Sequence, residues 1–362
     1  MSQPEPSGGR TRVDMMKVLV TGAAGFIGSH VRRALAEAGH DVVGIDLLAE
    51  PVHGADAEPP EGVARIDIRD MEALAPVLRG VDVVCHFAAA TGSAYRPAEY
   101  AAHNDHGTAV LLAAMREAKI RRLVLASSVT VYGEGRYRTV RGGPFFPGLR
   151  SRADLDRGMF DHRAPRTGEI LTWEAVSEDA PLRPRGFYAA SKVAQENYAF
   201  AWGLSTGAAV TVLRFHSVYG EGAHSGLPAQ VRAALAAGAA PRVFEDGGQV
   251  RDFVHITDAV SATLAAVDRA LPGFVPLNIA SGHPITSWEV ASIMTKAQSG
   301  PDPLVTGQYH LPDVRHFVAA PTRAHHALGF TATTPPRTGL TDYATAQPLS
   351  AVETTRPVAS EP

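Results

Sequence analysis

The stretch Lys17-Val18-Leu19-Val20-Thr21-Gly22-Ala23-Ala24-Gly25-Phe26-Ile27-Gly28 decides the fold. Its first four residues form a short apolar strand. Three glycines follow at the spacing G-x-x-G-x-x-G, and a helical pattern runs from Phe26 to about Ala38. Gly22 permits the tight turn, Gly25 lets the backbone approach a pyrophosphate, and Gly28 lets the helix pack closely on the strand. The helix N-terminus then presents free N–H groups and a positive dipole end to the phosphates. A second strand, 41–46, ends in Asp46, 18 residues after Gly28. That carboxylate suits ribose hydroxyls, whereas a 2′-phosphate would meet a like charge. Neither Leu47 nor Leu48 supplies an arginine, so NAD is expected rather than NADP. Asp67 offers a weaker acceptor for the adenine amine.

Working outward, apolar runs at 63–68, 81–87, 122–126 and 210–215 alternate with helical patterns near 104–118 and from Tyr188 onward. Short apolar strands separated by amphipathic helices predict an α/β, Rossmann-type, doubly wound parallel sheet. This NAD-binding domain is expected over 15–215. A smaller C-terminal lobe, mainly substrate-binding, is expected over 216–345, with flexible tails at 1–14 and 346–362. The rhythm fails at about 134–182, read as an insertion. Between Arg136 and Arg166 eight arginines face three aspartates, so the segment is either a solvated loop or an anion-facing lid.

The whole chain has 362 residues, 45% hydrophobic and 20% charged, with 34 basic against 37 acidic side chains. That balance disfavours a nucleic-acid partner. Its one cysteine, Cys85, permits neither an internal disulfide nor a four-thiolate metal site. The first residues lack the apolar core of a signal peptide, and no run approaches the ~18 apolar residues of a membrane span. The expectation is a cytoplasmic protein without membrane attachment.

The catalytic candidates are Ser128, at the end of strand 122–126, and Tyr188 with Lys192 in Tyr188-Ala189-Ala190-Ser191-Lys192. Positions i and i+4 share a helix face, so phenol and ammonium can enter one cleft. A free phenol, with a pKa of ~10, is a poor base. An adjacent ammonium and a positive nicotinamide ring would stabilise the phenolate.

This ordered set resembles the extended short-chain dehydrogenase/reductase family, specifically its NAD-dependent sugar-nucleotide epimerases and dehydratases. The likeness rests on TGAAGFIG at 21–28, HFAA at 86–89, Asn104 with Gly107-Thr108, and SSVTVYG at 127–133. It continues through YAASK at 188–192, LRFHSVYG at 213–220, RDFVHITD at 251–258, LNIASG at 277–282 and DVRH at 313–316. The resemblance implies an NAD site built from Gly22, Gly25, Phe26, Ile27, Gly28, Asp46, Asp67, Ile68, Ala88, Asn104, Tyr188 and Lys192. It implies catalysis by Ser128, Tyr188 and Lys192 with Thr130. Nucleotide-sugar contacts are implied at Ser128, Ser217, Arg251, His310 and Arg315, the arginines holding the diphosphate, which their forked geometry suits. A homodimer through the helices near 104–118 and 188–203 is implied as well.

Dehydratases of the family place an Asp-Glu pair directly after the catalytic Ser/Thr, and decarboxylases a Glu two positions after it. Here Val129 and Thr130 stand there, so those reactions lose their carboxylate. The pattern resembles 4-epimerases of the dTDP-L-rhamnose and UDP-glucose types, implying C4 inversion through a transient 4-keto sugar. A ketoreductase of 4-keto-6-deoxy sugar nucleotides and a non-catalytic dinucleotide-binding protein are the alternatives. Relatives of the dTDP-L-rhamnose type carry cysteine pairs in the insertion. Here residues 137–142 and 164–168 supply no thiolate, so no metal is expected. Ser217 replaces a usual Asn and His310 a common Arg, which leaves substrate identity open.

Overall fold

Seven parallel strands form the centre of the computed structural model, which describes residues 15–92, 94–139 and 142–346. They are β1 (Lys17–Thr21), β2 (Asp41–Asp46), β3 (Val63–Arg65), β4 (Val83–His86), β5 (Arg122–Ser128), β6 (Ala209–Phe215) and β7 (Phe274–Ile279). Their spatial order is β3-β2-β1-β4-β5-β6-β7. The order reverses between β1 and β4, and such a switch point opens a crevice at the carboxyl ends of the strands. The expected tails at 1–14 and from 347 onward lie outside the described residues.

Alternation along each strand feeds two cores. Val18 and Val20 of β1 pack with Val31 and Leu35 of helix α1 (Phe26–Glu37) on one face. Leu19 packs with Leu111 and Met115 of α2 (Gly107–Glu117), and with Ala199 and Trp202 of α3 (Phe187–Thr206), on the other. Both faces are covered, which is why these strands read as continuous apolar runs.

Three features differ from the expectation. The third strand is short, because the Ile66 N–H closes the ladder on the Asp46 carbonyl before the chain turns at Asp67. The helix expected from 104 begins as a π-helical turn, Ala101–His106, and becomes α-helical only at Gly107. The seventh strand comes from a stretch assigned to the C-terminal lobe. It contains Pro276, tolerated because β7 lies at the sheet edge. Helix α4 (Ile256–Asp268) likewise packs Ala259, Ala262 and Ala266 into the sheet core. The sheet therefore draws on chain both before and after residue 215.

The remaining C-terminal residues build their own core around Tyr219, Phe253, Val290, Met294 and Leu340. The insertion forms a three-stranded antiparallel ribbon, Arg136–Arg138 flanked by Pro144–Phe145 and Thr172–Glu174, over Tyr137, Ala164 and Leu171. No helix among the described residues is long and apolar enough to cross a membrane.

Candidate active site

Gly22 sits at φ +70°, and a Cβ there would lie 2.6 Å from the Ala88 backbone nitrogen. A Cβ on Gly28 would lie 2.0 Å from the Gly22 carbonyl oxygen. The turn can thus be this tight only with glycine at both positions. No side chain caps the N-terminus of α1, so its first N–H groups are free to meet phosphate oxygens.

A cavity of about 500 Å³ runs along the carboxyl ends of the strands. Gly22, Gly25, Phe26, Ile27 and Gly28 line it, as do Asp46, Asp67, Ile68, Ala88, Ser128, Tyr188 and Lys192. The Asp46 carboxylate accepts the Ala24 and Leu48 N–H groups, at 3.0 and 2.9 Å, which fixes it at the mouth. Burial opposes ionisation of Asp67, but its bonds to Arg69 outweigh this and hold the carboxyl below its ordinary value. An uncapped helix, a cradle that a Cβ would fill and a fixed acid beyond it suit the phosphates and ribose of a dinucleotide.

At the other end the groups that can do chemistry converge. Lys192 Nζ donates to the Ala126 carbonyl at 2.9 Å and lies 5.8 Å from the centre of the Tyr188 ring. Burial brings the Lys192 ammonium down to about 8, against the pull of Glu196. Burial pushes the Tyr188 phenol up to about 12; Tyr100 adds to this and a bond to the Ser128 hydroxyl opposes it. The expected lowering by the ammonium is therefore absent among the protein's own groups. Desolvation wins, and the ammonium points to a carbonyl. Ser128 in turn accepts the Thr130 N–H at 3.2 Å and hydroxyl at 3.0 Å.

The model of the NAD dependent epimerase/dehydratase family matches residues 18–147 and 164–280. The chain belongs to that family. It is 30% identical over 321 residues to the dTDP-L-rhamnose 4-epimerase of Burkholderia thailandensis, covering 84% of this chain and 87% of that protein. Among solved structures, MoeE5 in complex with UDP-glucuronic acid and NAD superposes with a TM-score of 0.73 at 30% identity, covering 91% and 97% of the two chains. The Thermus thermophilus UDP-glucose 4-epimerase in complex with NAD gives 0.72 at 28% identity, covering 91% and 98%.

Several residues that the family resemblance marks stand away from the cavity wall. Asn104 is fully buried; its side chain accepts the Ala90 N–H at 2.7 Å and donates to the Ala90 carbonyl and to Ser191 Oγ. It braces the wall instead of forming it. Thr130 reaches the site only through Ser128. Ser217 is exposed on a short strand, and His310 is exposed beside Asp313 and the Phe244 ring. The Arg251 guanidinium is spent on the carbonyls of Val250, Val314 and Arg315. Arg315 is 2% exposed and donates to Asp161, Glu245 and Asp246. Arg315 presents no free fork, because a buried guanidinium takes the acceptors that the fold supplies, whereas half-buried Arg251 gives Nη1 and Nη2 to carbonyls.

Two functional neighbours escape sequence reading. His216 lines the cavity, accepts the Ser217 N–H at 3.0 Å and donates to the Phe317 carbonyl at 3.1 Å. Burial lowers it to about 4, keeping it neutral. Its position within LRFHSVYG was the only available signal. Glu134 gathers the Tyr137 hydroxyl and Arg185 at 2.8 and 3.0 Å, together with the Arg315 and His316 N–H groups. Burial raises this carboxyl, but His162, Tyr137 and Arg185 together hold it at about 2. It anchors the insertion to the C-terminal lobe, so that segment is a packed element and not a solvated loop, one of the two forms expected of it.

Proposed function

We propose that the chain is an NAD-dependent epimerase acting at C4 of a nucleotide sugar. The observation that carries the reading is the meeting of Ser128, Tyr188 and Lys192 at one end of a dinucleotide-shaped cavity, with Val129 and Thr130 where an eliminating or decarboxylating relative needs an acid. The 4-epimerases among the similar proteins support it.

Tyr188 takes the proton of the sugar 4-hydroxyl and later returns it. Ser128 hydrogen-bonds the same oxygen and keeps it directed at the phenol. Lys192 holds positive charge beside the phenolate as it forms. Bound NAD supplies a reversible acceptor for hydrogen from C4, so no net redox change results. The cavity walls retain the flat 4-keto sugar until it has presented its other face. The uncapped N-terminus of α1 and Asp46 would hold the pyrophosphate and adenosine ribose.

Incubation with dTDP-, UDP- and GDP-sugars, read by NMR without added NADH, tests the proposal. The expected product differs from its substrate only at C4. Turnover only with added reductant would select the 4-ketoreductase instead, and no turnover with NAD bound would select the binding protein.

We further infer a cytoplasmic homodimer formed through α2 and α3. Tyr198 and Leu204 are exposed on α3, Leu204 by 71%, which supports an apolar partner surface. Light scattering on the purified chain tests this; a monomer would refute it.

A further inference from the structure

The pyrophosphate of a dinucleotide is a dianion, and a helix N-terminus answers it with only about half a positive charge. No arginine lines the cavity among the described residues, and Lys192 stands at the catalytic end with Nζ given to Ala126. His30, near the start of α1, gives Nδ1 to the Phe26 carbonyl at 2.9 Å. The charge left over on the phosphates therefore falls to donors elsewhere on the cavity wall.

Such donors come from the chain that leaves the sheet after β6. It passes His216 and Val218, which line the cavity, and loops through Gly220-Glu221-Gly222-Ala223-His224-Ser225-Gly226 into the helix Leu227–Ala236. The Ala223 N–H closes a turn on the Gly220 carbonyl at 3.1 Å. Gly222, at φ +82°, lays the loop against α1: a Cβ there would lie 3.6 Å from both the Phe26 and His30 rings. His224 and Ser225 thereby enter the same cavity wall as Gly22 and Gly25. Among the described residues neither the His224 imidazole nor the Ser225 hydroxyl has a hydrogen-bond partner. Both residues are exposed, so aiming them at a ligand costs rotamer entropy but breaks no bond.

We propose that His224 and Ser225 are cofactor-binding residues that grip the pyrophosphate of the dinucleotide. An imidazole N–H and a hydroxyl donate to phosphate oxygens from the loop, while the free N–H groups of α1 donate from the glycine turn. The phosphates are thus held by chain from both before and after residue 215. Leu227, Val231 and Leu235 of the following helix pack in the C-terminal core, so the same grip ties that lobe to the cofactor. The inference rests on the dinucleotide reading of the cavity and is independent of the reaction at C4.

The test uses the full chain, with NADH, ADP and adenosine as probes and equilibrium dialysis as the measurement. His224→Ala is expected to weaken NADH and ADP binding roughly tenfold, as fits loss of one charge-assisted hydrogen bond. Ser225→Ala is expected to weaken both roughly threefold. Adenosine, which lacks phosphate, is expected to bind all forms alike. His224→Gln keeps an N–H donor and is expected to recover most of the affinity. In the unaltered chain, hydrogen exchange of amides 221–226 is expected to slow when ADP is added, and in His224→Ala to slow less. Unchanged NADH and ADP binding in the double alanine variant overturns the proposal. So does an equal loss for adenosine, or a His224→Gln that binds no better than His224→Ala. If the parent binds NADH and yet fails these tests, only this inference falls. If no form binds NADH, the dinucleotide reading falls as well.

Discussion

The Lys192 ammonium and the Tyr188 phenol occupy successive turns of α3, with Nζ 5.8 Å from the ring centre and its hydrogen bond given to the Ala126 carbonyl. The amine therefore supplies charge near the phenol without contacting its oxygen. Burial dominates both groups, moving the phenol up to about 12 and the amine down to about 8. A second positive charge is needed to bring the phenol into the working range. The phenolate should titrate near 12 in the free chain and clearly lower with oxidised NAD, while reduced NAD leaves it high. Ultraviolet difference titration checks this. Tyr188→Phe should lower turnover by about 10²–10⁴-fold, the usual yield of positioned acid–base catalysis, and spare NAD binding. An unchanged rate would dispose of the mechanism.

Gly28→Ala probes the dinucleotide turn. The added methyl would lie 2.0 Å from the Gly22 oxygen, a backbone atom that cannot swing aside. Either α1 moves off β1 or the turn distorts, and overpacking of this kind costs roughly 1–3 kcal/mol. Thermal unfolding should shift down and NAD binding weaken together. Gly25→Ala, whose Cβ would stand 3.3 Å from the same oxygen, should be milder on stability. Equal effects on stability from the two variants would contradict the packing argument.

The contrast between these glycines and the arginines shows what a sequence can disclose. Gly22, Gly25, Gly28 and Asp46 form a local unit, and Tyr188 with Lys192 follows from helix periodicity. Spacing alone therefore locates them. The partners of Arg315 lie 154, 70 and 69 residues away, and no periodicity ties a guanidinium to such distant acids. β7 stayed hidden for a different reason: Pro276 interrupts its apolar pattern, and only the finished sheet shows that the strand has a free edge. The π-helical turn at Ala101–His106 also has no periodic signature, being a single turn set by tertiary packing.

Acid should destabilise the fold through buried histidines. Burial lowers His86 to about 3 and His216 to about 4, and it also depresses His103, His255 and His316. As pH falls from about 6.5 toward 4, the unfolded chain gains protons at these positions and the folded chain does not. The unfolded state binds more protons in that window, so stability present above it is lost as pH falls. Glu134, held at about 2, adds no slope until the pH nears the ordinary carboxylate range. Denaturant midpoints at pH 7 and pH 5 should therefore differ, and His86→Gln should shrink the difference. A midpoint independent of pH across this range would refute the assignment.

Asn104 acts on the chemistry from behind. Its amide donates to Ser191 Oγ at 2.8 Å, and that hydroxyl donates to the Tyr188 carbonyl at 2.8 Å. The same side chain clamps Ala90, which lines the cavity. Asn104→Ala would leave the Ala90 N–H and carbonyl unpaired in a buried setting, at a cost of about 1–3 kcal/mol for each group left so. Stability should fall, and the phenol, less well fixed, should lose catalytic effectiveness beyond any loss in NAD affinity. Ser191→Ala cuts the relay one step later without touching Ala90. It should lower kcat more than it lowers stability. Because both changes sever one chain of bonds, their effects on kcat should be strongly non-additive in the double variant. Independent, additive losses would mean that Asn104 supports the fold alone and does not position Tyr188.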